Sequence, residues 1–184
     1  MVFMLAPLLS GCGYNRMVEL DEGVTAQWAQ VENAYQRRAD LIPNLVNTVK
    51  GYADFEQETL IGVIDARAKA TSVNINPGNL DASAIQQFQA AQDGLSSALS
   101  RLMVVVERYP DLKANQSFLD LQKQLEGTEN RIAVERRKFN ESTRNYNTYI
   151  RRFPKNIVAS IFSFDKKEYF EATEGAETPP TVEF

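Results

Sequence analysis

The side chains in this chain that could do chemistry are carboxylates. Glu56 and Glu135 fall on a 3-4 hydrophobic spacing where apolar residues would be less costly. Two carboxyls facing one cleft about 5–10 Å apart could serve as the acid and base of a cell-wall hydrolase. Little else is available. The 184 residues include no histidine and a single cysteine. That excludes Ser-His-Asp triads, Cys-His pairs, histidine-ligated zinc, internal disulfides and thiolate clusters. Di-metal carboxylate bundles normally use Glu-x-x-His motifs, which this composition also excludes. With 20 Lys+Arg against 24 Asp+Glu and a net charge of −4, the chain lacks the basic surplus of a nucleic-acid binder. No catalytic residue, metal or cofactor is therefore expected. Arg38, Glu56, Thr128, Glu135 and Ser142 are read as a register device instead: buried polar pairs, such as a carboxylate with Arg38, that fix helix alignment at some cost in stability.

The block Arg37-Arg38-Ala39-Asp40 could bind an anionic headgroup or a peptide carboxylate. The reading adopted is that it caps a helix end, where the helix dipole favours the cations, and pairs with Glu126 and Glu129. Asn44, with Asn47, brackets an exposed turn that suits contact with a partner or simple solvation. The candidate interaction or buried-network set is thus Arg37, Arg38, Asp40, Asn44, Glu126, Glu129 and Glu135. Aromatics at helical spacing, among them Trp28, Tyr35, Phe139, Tyr146, Tyr149 and Phe153, are assigned to the core.

Cys12 ends an uncharged run that begins at Met1, and Leu9-Ser10-Gly11-Cys12 resembles a bacterial lipobox. That resemblance implies lipid attachment at Cys12. The run is shorter than the ~20 apolar residues that span a bilayer, but it suits a signal h-region. No Lys or Arg precedes it, which leaves a true start upstream or a trimmed chain as the expectation. The alternatives are a clipped transmembrane helix and a plain apolar leader. Lipid attachment and a transmembrane helix agree on membrane attachment with the bundle outside the cytoplasm, and Gly13 leans toward an outer-membrane destination.

The elements that must position these groups are helices. Prolines at 43, 77, 110 and 154 punctuate long stretches poor in glycine, as helix boundaries do. Asn76-Pro77-Gly78-Asn79 is a turn signal, and Asp81 or Ser83 suits the N-cap that follows. Val24, Trp28, Val31, Tyr35, Arg38, Ile42, Leu45, Val49 and Tyr52 keep one phase. So do Leu95, Leu99, Leu102, Val106 and Tyr109. The third stripe runs Phe118, Leu121, Leu125, Thr128, Ile132, Glu135, Phe139, Ser142, Tyr146, Tyr149 and Phe153. Narrow stripes of this kind must be buried against one another, so the expected fold is an all-α antiparallel up-and-down bundle of long helices. Four helices are favoured, with a break at Pro43 and Asp40 as N-cap; three result if the first helix runs through Pro43. Ile157–Phe162 should cover one end of the bundle, with Phe164, Tyr169 and Phe170 against it. The organisation read is an anchor over 1–12, a bundle over 13–164 and an acidic tail over 165–184 that is disordered from Glu171 onward.

Several runs together resemble the LemA family of bacterial membrane-anchored proteins. They are Gly13-Tyr14-Asn15, Leu20-Asp21-Glu22, Trp28–Asn33 and Tyr35–Val46, then Tyr109–Asn115, Leu125–Ile132, Tyr146-Asn147, Phe153-Pro154 and Tyr169-Phe170. The resemblance implies a helical bundle on the outer face of a membrane, held at its N-terminus, without an agreed enzymatic activity. It further implies envelope work, since relatives occur beside membrane metalloproteases and one is associated with shaping magnetosome membranes. Unidentified envelope proteins and further copies of the chain are the expected partners. The departures from the family pattern are the lipobox-like cysteine and Gly127, where a kink or a close helix approach is expected.

Overall fold

The computed structural model describes residues 6–51, 56–75 and 80–170, and for residues 6–12 the backbone alone. Its helices are α1 (Ala6–Lys50), α2 (Gln57–Ser72), α3 (Ala82–Val106), α4 (Pro110–Lys113), α5 (Gln116–Arg151) and α6 (Lys155–Ile161). No strand occurs among the described residues. The long helices run up, down, up and down. α1 lies antiparallel along α5, and α2 pairs with α3. The start of α1, the end of α5 and α6 form what is here called the basal end; α4 turns the chain at the apical end.

Local chemistry accounts for the starts. Asp81 accepts from the Ala84 amide at 2.8 Å, and Asn115 from the Phe118 amide at 3.1 Å, each satisfying an orphan donor of a first turn. Pro110 opens α4, where its missing N–H is not needed.

Two hydrophobic clusters hold the bundle. The basal one centres on Trp28, whose ring meets Phe88 and Phe139 edge-on at 5.2 and 5.5 Å and stacks on Phe170 at 5.7 Å. The apical one joins Leu45, Val63, Leu95, Leu102, Leu112 and Phe118.

Four expectations change. First, α1 runs unbroken through Pro43, so Asp40 is no N-cap, and Arg37 and Arg38 stand mid-helix. The break comes only after Lys50. An interior proline costs about 3 kcal/mol, partly by orphaning the carbonyl four residues back. Here that carbonyl, Ala39 O, accepts a 2.8 Å hydrogen bond from Arg67 Nε of α2. Ile42, Leu45, Val46 and Val49 stay in phase and buried beyond the proline.

Second, the α5 stripe drifts. It holds to Phe139 and again at Tyr146, but Thr143 and Ile150 are buried in place of Ser142 and Tyr149, Asn147 joins them, and Phe153, beyond the helix end, is 83% exposed. A straight α-helix gains about 20° per heptad on a 3.5 repeat, which reaches one residue over five heptads.

Third, Gly127 involves no close approach, because a Cβ there would meet nothing within 4 Å. Fourth, the segment from 165, assigned to the tail, follows the bundle as far as Phe170, with Lys167 and Phe170 buried and Phe170 packed on the basal core as its aromatic character led one to expect. Ser163 takes a left-handed conformation (φ 56°) and closes α6, with the Phe164 amide donating back to Ala159 O at 2.9 Å. The chain then lies along α5 and buries Phe170. Tyr52, the 76–79 turn signal and the tail from Glu171 onward lie outside the described residues.

Candidate functional site

Between the two clusters lies a polar layer built on Arg38, which is 1% exposed. One guanidinium nitrogen donates to Glu129 Oε1 at 2.6 Å and Ser96 Oγ at 2.8 Å. The other donates to the Gln92 carbonyl and side-chain oxygens at 3.1 and 2.7 Å. Gln92 Nε2 then donates to Ala70 O of α2 at 3.1 Å. Arg38 thus ties α1 to α3 and α5, and through Gln92 to α2. The planar fork of arginine suits a site where donors must reach several helices at fixed angles. Slipping any helix by one turn would strand a buried charge, which is costly.

Glu135 lies on the α1–α5 seam with its carboxylate almost wholly buried. It accepts from Gln27 Nε2 of α1 at 2.7 Å and pairs with Arg131 at 2.7 Å and Lys138 at 3.2 Å. Burial by itself raises the carboxyl's pKa. The hydrogen bonds from Gln27 and Lys138 and the charges of Arg131 and Lys138 outweigh it, so the net shift is downward. Glu56 is exposed at the start of α2 and pairs with Arg108 at 2.6 Å. Glu135 sits opposite Gln27, whereas Glu56 follows the apical end of α1; from Gln27 to Lys50 alone is roughly 35 Å of helix. The two carboxylates share no cleft, and the acid-base pair of a hydrolase is not formed.

The remaining candidates are dispersed. Asp40 accepts from Gln36 at 2.7 Å and Glu126 from Gln122 at 3.1 Å, both on exposed faces. Only Glu129 of the two glutamates reaches Arg38. Asn44 is exposed, mid-helix rather than in a turn. Arg37 stands on the wall of an open groove of about 470 Å³ between α1 and α5, whose lining includes Asn33, Gln124, Gly127 and Arg131. Cys12 lies within α1. Among the described residues no group of three or more metal-ligating side chains is assembled.

Sequence reasoning missed a pair of asparagines that hold the 165–170 strap. Asn147 is buried. Its Oδ1 accepts from the Lys167 amide at 3.0 Å, and its Nδ2 donates to the Lys167 carbonyl at 2.8 Å. Asn140 does the same for Phe170, at 2.9 and 3.0 Å. Two asparagines seven residues apart on one helix face were the available signal. Lys167, nearly buried, pairs with Asp21 of α1 at 2.7 Å. Burial, with the nearby charges of Asp21 and Asp165, pushes the Tyr146 hydroxyl's pKa up, and that hydroxyl donates to Asp165 O at 3.0 Å.

Comparison with known proteins bears on all of this. The LemA family model matches residues 27–184. Magnetosome protein MamQ of Magnetospirillum gryphiswaldense is 30% identical, over 90% of this chain and 67% of its own length. Magnetosome protein MamQ 2 of Paramagnetospirillum magneticum is 29% identical over the same shares. Protein LemA of Metamycoplasma hominis is 26% identical over 78% of this chain and 62% of its own length.

Proposed function

The chain belongs to the LemA family, and from that membership and its architecture we propose that it is a non-catalytic interaction module of the bacterial envelope. In this reading it is attached to a membrane at its N-terminus, by lipid on Cys12, with the bundle outside the cytoplasm. The observation that carries it is the continuity of α1. This helix starts inside the uncharged N-terminal run and continues for 45 residues to Lys50, roughly 65–70 Å, through both cores. Whatever grips that run therefore holds the whole bundle as a rigid post. No helix among the described residues is long and apolar enough to cross a membrane. The buried charges are consumed in aligning helices, which leaves outer faces such as the Arg37 groove for contact with envelope proteins, a membrane metalloprotease among them.

Two measurements test this reading. The parent chain should take up labelled fatty acid in cells and Cys12→Ala should not; a parent chain without label would overturn the lipid attachment. A photocrosslinker at exposed Arg37, activated in the native envelope, should give adducts with envelope proteins. Adducts with the chain itself would favour self-assembly at a membrane. Absence of any adduct would count against both.

A further inference from the structure

Large apolar side chains are scattered singly over most protein surfaces and mean little there, but at the basal end they gather. Phe153 is 83% exposed, Ile157 52%, Ile161 70% and Phe162 55%. Ile157 and Ile161 stand four residues apart on α6, the spacing that lines up one face of a helix, and Phe153 lies in the turn that leads into it. The opposite face of α6 is occupied, with Ala159 buried and Val158 packed on the basal core. The outward stripe is continuous with the start of α1, since Phe162 meets the ring of Tyr14 edge-on at 4.8 Å. Tyr14 lies just beyond the uncharged N-terminal run.

Charge follows the same geography. The chain carries a net −4, yet no Asp or Glu occurs before Glu19 or between Glu141 and Asp165. The described parts of those two stretches lie at the basal end and hold Arg151, Arg152 and Lys155, together with Arg16 and Arg144, which pair with Glu19 and Glu141 at 2.6 and 3.9 Å. Lys155 caps the Tyr149 ring, with Nζ 3.7 Å from its centroid. The apical end is mixed, with Glu107, Arg108, Asp111 and Lys113 in close sequence.

We infer that this apolar, cation-rimmed end of the bundle is a second membrane contact, in which α6 and Phe153 lie in the interface of a bilayer containing anionic lipid. An amphipathic surface with aromatic and aliphatic groups on one side and Arg and Lys beside them has the chemistry of interfacial binding. A second copy fits less well, because symmetric docking would set Arg151 and Arg152 against the same cations. The inference rests on the proposed N-terminal attachment, which brings this end to the bilayer. It adds that the post is seated on the surface at two points rather than tethered at one.

The test uses the full chain with a tryptophan placed at Ile161 or, as an apical control, at Val104. Both positions are exposed, so folding is spared. Each protein is reconstituted on vesicles of phosphatidylcholine with about one third phosphatidylglycerol, with or without brominated acyl chains. Ile161→Trp should shift its emission to the blue and lose about half or more of its added signal to the brominated lipid, while Val104→Trp is unaffected. Adding Arg151→Glu and Arg152→Glu should weaken the quenching several-fold. A chain that floats with the vesicles but leaves Ile161→Trp unquenched overturns this inference and spares the anchor. A chain that does not float overturns both. A blue shift without lipid that grows with protein concentration would assign the face to a second copy and overturn the lipid contact.

Discussion

At Arg38 a single side chain answers a problem that the hydrophobic stripes leave open. Stripes at 3-4 spacing can bury themselves in more than one axial alignment, since a shift of one heptad keeps apolar groups facing apolar groups. Arg38 removes that freedom through its bonds to Glu129, Ser96 and Gln92. Arg38→Ala should therefore lower unfolding stability by about 3–5 kcal/mol, the range for breaking a buried charged network, measurable as a fall in the urea midpoint. Replacing Glu129 should cost a comparable amount, because it leaves the Arg38 charge buried without its counter-ion. Glu135 gives a pH signature. Its folded pKa lies below the ordinary 4.5, so its ionised form contributes stability that is fully present above the ordinary value and fades as pH falls through the folded one. Glu135→Gln should lower stability by roughly 1–2 kcal/mol near neutrality, allowing for the exposure of Arg131 and Lys138. The gap to the parent chain should narrow below about pH 4.5. A gap that stays constant down to pH 3 would exclude the ionised form as the source.

Among the elements, α1 and α2 are joined by the proline that was expected to divide α1. Pro43 leaves Ala39 O without its helical donor, and Arg67 supplies one from the neighbouring helix. Removing Arg67 should cost about 1.5–3 kcal/mol, as for a hydrogen bond to a charged group. In a Pro43→Ala background, where the backbone can bond Ala39 O itself, the cost should fall by at least about 0.5 kcal/mol. A double-mutant cycle with no coupling would contradict this account. Gly127 presents the opposite case, a helix interior with open space around it. Gly127→Ala should raise stability by about 0.5–1 kcal/mol, read from the thermal midpoint.

For the molecule as a whole, α1, α3 and α5 each contribute to both clusters, so neither core can open without unwinding helices that the other needs. Trp28 fluorescence, which reports the basal cluster, and far-ultraviolet circular dichroism, which reports all helices, should give one coincident urea transition. Separate midpoints would show that the polar layer divides the bundle into two units. How much of this was legible beforehand follows from the physics of each feature. Periodicity is a property of the chain alone, so the all-α class, the α1 and α3 stripes and the burial of Trp28, Arg38 and Glu135 could be read directly. The N-cap at Asp81 could be too, because capping acts within one turn. What the chain alone did not carry were relations across space. Whether Pro43 ends α1 depended on a guanidinium 24 residues later. Which glutamate meets Arg38 depended on the rotation of α5, and the inward turn of Asn140 and Asn147 depended on a strap that has no periodicity to announce it. The two carboxylates of the supposed cleft were equivalent as residue types, and only packing separated them, because position along a rigid helix converts sequence distance into tens of ångströms.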